Sequence, residues 1–168
     1  MDLLWIAPGA PLASFAILAL LGTRLPRGWI AALGAGSVGI AAAACLVVAF
    51  RFMASPPPGH EITHVLWRWV LVDGFAPEMA LSLDPLAVVM MLVVTVVGFL
   101  IHLYSTEYMA EDARYAAFFA YMNLFVASML LLVLADNLLL LYLGWEGVGL
   151  CSFLLIGFWY HEIGRAHV

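Results

Sequence analysis

The chain consists of long apolar stretches separated by short polar breaks. A helix needs roughly 20 apolar residues to cross the hydrocarbon core of a bilayer, which is about 30 Å thick. The apolar run over 115–160 is about twice that length, and the polar pair Asp136-Asn137 divides it. We therefore predict an all-α integral membrane fold with five transmembrane helices, over residues 3–21, 29–52, 85–104, 115–135 and 138–160.

The one long connection, 53–84, has a different pattern. It opens with Pro56-Pro57-Pro58-Gly59, which cannot continue a helix. Residues 62–72 are rich in strand-forming side chains, and Asp73-Gly74 is a turn signal. We predict a β-hairpin-like extramembrane loop between helices 2 and 3, lying on one membrane face. Asp84-Pro85 then suits the N-cap and first position of the third helix.

Composition supports a membrane protein. Hydrophobic residues make up 66% of the chain and charged residues 10%, whereas a soluble domain carries about 25% charged residues. The net charge of −5 excludes a basic nucleic-acid-binding patch as the organising feature. Cys45 and Cys151 fall in apolar runs, where we expect small buried side chains and no disulfide framework.

Arginine placement predicts the orientation. Arg24 and Arg27 follow the first predicted helix, and Arg114 follows the third, so all three lie on the same side. Positively charged loops favour the cytoplasm, which predicts a bacterial inner membrane protein with its N-terminus and hairpin outside. Arg51 and Arg68 lie on the other side and weaken the bias.

Glu146 is the main candidate for chemistry. It lies eight residues into the predicted fifth helix, roughly 12 Å deep. Insertion scales assign a cost of about 2.5–3.5 kcal/mol to an acidic side chain there. A carboxyl group balanced between burial and a nearby cation can exchange a proton near neutral pH. We predict that Glu146 is a catalytic residue for proton translocation; the alternative is a neutral glutamic acid that only joins helices.

The other polar residues are weaker candidates. His102, three residues from the end of the predicted third helix, is a candidate proton relay, or else an interfacial histidine that reaches toward water. Asp136 is explained by solvation at the surface. His60 and His64 share a flexible loop without a cysteine partner, so we predict no metal site.

Two long segments resemble a known family. FFAYMNLFVASMLLLVLADNLLLLYLGWEGVGLCSFLLIGFWY, over 118–160, is similar to the antiporter-like membrane subunits of respiratory complex I, and above all to the largest of them. SLDPLAVVMMLVVTVVGFLIHLYSTEYM, over 82–109, resembles the same subunit, as does the hairpin with its paired Trp67 and Trp69. The motif GWEGVG, over 144–149, is the specific part of the resemblance.

The resemblance implies a membrane-arm subunit of a proton-pumping NADH:quinone oxidoreductase. Glu146 would be the family's intramembrane glutamate, which pairs with a lysine on a later, broken helix; this chain contains no lysine. The resemblance implies no cofactor in this subunit and places the NADH, flavin, iron–sulfur and quinone sites in partner subunits. The expected partners are other membrane and peripheral subunits of complex I and the lipid bilayer, with no nucleic acid.

Two functional alternatives stay open. The nearer alternative is a subunit of a multisubunit cation/proton antiporter or membrane hydrogenase; the other is a structural membrane subunit without transport.

The chain divides into four predicted regions. They are the first two helices (1–52), the hairpin loop (53–84), the start of the antiporter-like domain (85–160) and a non-native tail (161–168). Residues 163–168 can be encoded by DNA that resembles a common sequencing adapter, so Arg165 and His167 carry no argument.

Overall fold

The computed structural model describes residues 3–68 and 78–159. Within these ranges, five helical stretches are long and apolar enough to cross a membrane, which confirms the predicted fold class. They are Ile6–Arg24, Arg27–Ala54, Pro85–Tyr108, Tyr115–Val133 and Leu138–Trp159. The α-helices and strands within the described ranges are α1 (Ile6–Leu21), α2 (Arg27–Ala54), β1 (Ile62–Arg68), β2 (Glu78–Leu83), α3 (Pro85–Leu92), α4 (Gly98–Tyr108), α5 (Tyr115–Val133) and α6 (Leu138–Ile156).

The third membrane helix contains a wider turn that the apolar pattern did not predict. Between α3 and α4, Val93–Val97 form a π-helix. Four of these five residues are valine, and the Thr95 hydroxyl donates to the Met91 carbonyl over 2.7 Å. A β-branched run with a hydroxyl bonded to the preceding turn favours such a local departure from α geometry. The helix starts as predicted, because the Asp84 carboxylate accepts a hydrogen bond from the Ala87 amide.

The hairpin forms an antiparallel pair between helices 2 and 3, as predicted. Ile62 pairs with Leu83 and Arg68 with Glu78, and a bulge lies between Val65 and Trp67. The Arg68 guanidinium forms a salt bridge of 2.9 Å with the Glu78 carboxylate. Trp69 and the predicted turn at 73–74 lie outside the described residues.

The hairpin also pairs through its backbone with the turn between α5 and α6. Leu81 and Ala135 form an isolated antiparallel bridge. The Ser82 amide donates to the Leu134 carbonyl over 2.8 Å, and the Asp136 amide donates to the Ala80 carbonyl over 3.2 Å. β2 is therefore paired on both edges, by β1 and by this turn, and its apolar side chains are buried.

The helices pack around α5, which contacts α1, α2 and α6. Two apolar clusters stabilise the two ends of the bundle. The cluster under the hairpin includes Leu81, Leu83, Met91, Leu130 and Leu134. The cluster at the other end includes Leu18, Ile30, Tyr115, Phe119 and Phe158.

Candidate functional site around Glu146

The turn before α6 determines where Glu146 lies. The side-chain oxygen of Asn137 accepts a hydrogen bond from the Leu140 amide over 3.0 Å and so caps the helix. This confirms the predicted division at Asp136-Asn137. α6 runs from Leu138 to Ile156, so Glu146 lies close to its midpoint and far from either helix end.

One face of α6 packs closely on α5 through glycine. A Cβ atom on Gly144 would lie 2.6 Å from the Leu132 amide nitrogen and 2.8 Å from its Cα. A Cβ atom on Gly147 would lie 2.5 Å from the Ser128 hydroxyl oxygen. The absence of side chains at these two positions lets the helix backbones approach, as small residues do in membrane bundles.

Glu146 projects away from this glycine face. At about 100° per residue it lies roughly 100–160° around the helix from Gly147 and Gly144. Its side chain is exposed in this chain and borders a groove of about 230 Å³, whose other lining residues are Met79, Leu139, Tyr142 and Leu143. No salt bridge from Glu146 is present among the residues that the structure describes.

The groove beside Glu146 is open and mostly apolar. Apart from Glu146 and the Tyr142 hydroxyl one turn before it, its lining residues carry apolar side chains. Glu146 is therefore an exposed carboxyl group at the middle of α6 with apolar neighbours.

His102 lies in a different environment from the predicted one. α4 continues to Tyr108, beyond the predicted end at 104. The expectation of a side chain that reaches toward water is wrong, because His102 packs against α5 and is fully buried. The Nδ1 atom lies 2.8 Å from the Gly98 carbonyl oxygen, and the ring packs on Phe119 at 6.1 Å. Nε2 has no hydrogen-bond partner among the described residues.

The structure separates His102 from Glu146. His102 contacts α5 at Phe119, whereas α6 contacts α5 at Ser128 and Leu132. Phe119 and Ser128 are nine positions apart on one helix, which places them about 180° apart around its axis. The two predicted site residues therefore lie on opposite sides of α5.

A buried polar group that the sequence analysis did not select lies between α2 and α5. The Asn123 side chain accepts a hydrogen bond from the Ser37 hydroxyl over 2.6 Å. Its amide donates to the carbonyls of Gly34 and Phe119, over 3.2 and 2.9 Å. The sequence did contain a signal for this group, because Asn123 interrupts an apolar stretch. In the structure the Asn123 side chain satisfies buried polar groups of α2 and α5.

A second cluster lies at the end of the bundle that carries Arg24, Arg27 and Arg114, which we call the arginine face. The Asp112 carboxylate accepts hydrogen bonds from the Trp159 indole, over 3.0 Å, and from the Arg114 amide, over 2.7 Å. The Trp159 bond, then the Arg114 amide and the nearby arginine charges, hold the pKa of Asp112 below its ordinary value, although partial burial opposes this.

Two family models match the chain. One, described as NADH-Ubiquinone oxidoreductase (complex I), chain 5 N-terminus, matches residues 69–119. The other, described as NADH:quinone oxidoreductase/Mrp antiporter, TM, matches residues 135–167. Together they cover half of the chain, including His102 and Glu146. The chain belongs to this family of antiporter-like membrane subunits of complex I and Mrp complexes.

Curated members of the family are similar along nearly all of this chain. NADH-quinone oxidoreductase subunit L of Pseudomonas aeruginosa is 50% identical over 160 residues, 95% of this chain and 26% of the relative. Subunit L of Escherichia coli K12 is 48% identical over 162 residues, 96% of this chain and 26% of the relative. The chain thus spans about a quarter of the length of these antiporter-like subunits.

A solved structure of the family has the same fold. A chain from the Mrp complex of Dietzia sp. superimposes with a TM-score of 0.66 at 33% identity. The match covers 91% of this chain and 16% of that one. An arrangement similar to the five helices and their hairpin is therefore found in a chain of an Mrp complex.

Proposed function

We propose that this chain supplies one half of a proton-exchange site, centred on Glu146, in a membrane-arm subunit of a proton-pumping NADH:quinone oxidoreductase. The observation that carries the proposal is the placement of Glu146: an acidic side chain at the middle of α6, facing an open groove with an otherwise mostly apolar lining. Intramembrane ionisable residues usually take part in transport, because inserting them costs about 2.5–3.5 kcal/mol. The similarity to subunit L supports the choice of complex.

The proposed mechanism needs a cation that this chain does not contribute. The chain has no lysine, and its described arginines lie near the ends of the helices or in the loops. A basic side chain from another segment would cover the groove and favour the ionised form of Glu146. Its withdrawal would favour proton uptake, so a cycle of approach and withdrawal would carry one proton. NADH, flavin, iron–sulfur clusters and quinone would be bound by partner subunits.

Glu146→Gln tests this proposal in the complete subunit, assembled in its complex in membrane vesicles. Glutamine keeps the shape but cannot exchange a proton. We expect proton translocation through this subunit to fall by at least about tenfold, since a positioned acid–base group contributes 10²–10⁴-fold. The measurement is proton uptake per quinone reduced, with Glu146→Asp to restore the carboxyl group and the exposed loop substitution Glu111→Gln as a matched control.

Unchanged proton uptake per quinone in Glu146→Gln would refute the exchange role. The chain would then be a structural membrane subunit, and Glu146 would serve only as a polar contact between helices. A loss in both Glu146→Gln and Glu111→Gln would show a general defect in assembly and would also count against a specific role.

A cation/proton antiporter subunit is the second candidate, and the fold match to the Mrp complex favours it. The two functions differ in what drives the proton. Transport by a complex I subunit depends on NADH oxidation, whereas transport by an antiporter subunit depends on a gradient of sodium or potassium ions. Proton movement that follows an imposed sodium gradient in the absence of NADH would favour the antiporter.

His102 is proposed as a separate relay residue. Its Nε2 atom is fully buried without a partner in the described part of the chain, and a water molecule bonded there could hold a proton. Its position across α5 means that transfer to Glu146 would need intermediate groups. The same vesicle assay on His102→Gln tests this role, and normal uptake would restrict His102 to packing.

A further inference from the structure

One side chain connects α6 to the hairpin. The Asn137 oxygen caps α6 by accepting from the Leu140 amide over 3.0 Å. The Asn137 amide nitrogen donates to the Glu78 carbonyl on β2 over 2.7 Å. A single asparagine thus uses its carbonyl oxygen on the helix and its amide nitrogen on the hairpin.

The neighbouring contacts reinforce this connection. The Ser82 amide bonds to Leu134, the Asp136 amide bonds to Ala80, and the Thr63 hydroxyl lies 3.3 Å from the Asp136 carboxylate. These bonds hold the turn against the hairpin at several points. Asn137 is the position at which that attachment reaches the first turn of α6.

The rest of α6 is held along one face and at its far end. Gly144 packs against the Leu132 backbone of α5, and Gly147 packs against the Ser128 side chain. At the far end the Trp159 indole donates to the Asp112 carboxylate over 3.0 Å. Asn137 is therefore the side chain through which the hairpin holds the start of α6.

The same strand segment also forms part of the Glu146 groove. Met79 follows Glu78 directly, and it lines the groove together with Tyr142 and Leu143. A shift between Glu78 and Asn137 would therefore move Met79 relative to Glu146. We propose that Asn137 is a positioning residue: by joining the hairpin to the cap of α6, it fixes the start of α6 against β2 and thereby the width of the groove at Glu146. This inference rests on the proposed function for its consequence in transport.

Asn137→Ser separates the two bonds of this side chain. Serine is an equally good helix cap, but it is too short to reach the Glu78 carbonyl at the same time. Asn137→Asp keeps the cap and replaces the donor with an oxygen, as a second variant if the first fails to assemble. Ser82→Ala is the matched control, because it removes a 3.1 Å side-chain bond to Glu61 that stays within the hairpin.

Two measurements on the assembled complex report on the position of Glu146. The first is the rate at which dicyclohexylcarbodiimide, an apolar carboxyl reagent, modifies Glu146, followed by mass spectrometry. The loss of one hydrogen bond changes an equilibrium by roughly two- to tenfold. We expect the labelling rate in Asn137→Ser to rise by about that factor because the groove loosens. The second is proton uptake per quinone reduced, which we expect to fall while Ser82→Ala stays at the wild-type level.

The outcomes distinguish this inference from the proposed function. Wild-type labelling and uptake in both Asn137→Ser and Asn137→Asp would overturn the positioning role. Asn137→Ala removes the cap as well as the bond to Glu78. A defect found in Asn137→Ala but in neither of the other two variants would also overturn the positioning role, since that result assigns the effect to the cap alone. If Glu146→Gln pumps normally, the proposed function fails, but the labelling rate still decides whether Asn137 positions Glu146.

Discussion

At the scale of single residues, Asp112 connects the loop between α4 and α5 to the ends of other membrane helices. It lies between α4 and α5, yet it accepts the indole N–H of Trp159, which follows α6. The Arg27 guanidinium donates to the Asp112 carbonyl over 3.3 Å and lies over the Tyr115 ring. The loop thereby connects the starts of α2 and α5 to the end of α6.

We predict that this connection is lost in acid. The pKa of Asp112 is lowered in the folded chain, so its contribution to stability is fully present above the ordinary carboxyl pKa of 3.8. It disappears as the pH falls through the lowered value. Asp112→Asn should therefore lower the thermal midpoint of the solubilised protein at pH 7, and the difference from wild type should shrink once the pH falls below 3.8 and vanish below the lowered pKa. The exposed substitution Glu111→Gln is the control, and a pH-independent difference would contradict the prediction.

At the scale of elements, the contact between α5 and α6 depends on which glycines face the partner helix. Gly144 lies against the backbone of Leu132, which cannot move aside as a flexible side chain can. Gly149 lies on the same helix, but a Cβ atom there would meet nothing within 4 Å. Gly144 and Gly149, two of the three glycines of the GWEGVG motif, thus have different roles.

This difference predicts opposite effects of the same substitution. Gly144→Ala should destabilise the bundle by about 1–3 kcal/mol, because the added methyl group forces the helices apart. Gly149→Ala should be neutral or stabilise slightly, since alanine is the better helix former by about 1 kcal/mol. Thermal unfolding of the two variants in detergent measures both effects. Equal midpoints would show that α6 is not held by its glycine face.

The sequence predicted most elements because their signals are local. Apolar length located the five helices, the predicted Asp84 cap marked one helix start, and the polar pair Asp136-Asn137 marked another. The π-helix around Thr95 was missed, because an apolar count does not distinguish one helical turn from another. The hairpin was predicted, but its pairing with the turn after Leu134 was not, since that contact joins segments distant in sequence.

In the candidate site, too, features with a local signal were predicted from the sequence, and features that depend on packing were not. Glu146 was visible in the sequence as a lone carboxyl group in an apolar run, and its position at mid-helix follows from the length of α6. The burial of His102 and its separation from Glu146 depend on how α4 and α6 pack around α5, which helical periodicity alone does not determine. The role of Asn137 required the position of Glu78, a residue 59 positions away.

At the scale of the whole molecule, exposed tryptophan and tyrosine side chains are found near both ends of the bundle as well as in the middle of α6. Trp29, Tyr104, Tyr108 and Trp159 are exposed at the arginine face, Trp5 and Trp67 at the hairpin end, and Tyr142 and Trp145 within α6. Tryptophan and tyrosine favour the level of the lipid headgroups on both sides of a bilayer. We therefore expect the two end groups to lie at the two membrane interfaces, with the arginine face on one side and the hairpin on the other.

The remaining question for the whole molecule is which side faces the cytoplasm, and cysteine labelling answers it. Cys45 and Cys151 are buried, so replacing both with alanine gives a background without cysteine. Ser55→Cys then reports the hairpin side and Glu111→Cys the arginine face, since both positions are exposed. Because three arginines lie at the arginine face and two at the other end, we expect an impermeant maleimide to label only Ser55→Cys in intact bacteria. Permeabilised cells should label both variants, which controls for access. Labelling of Glu111→Cys alone in intact cells would reverse the orientation and place the Asn137 connection in the cytoplasm.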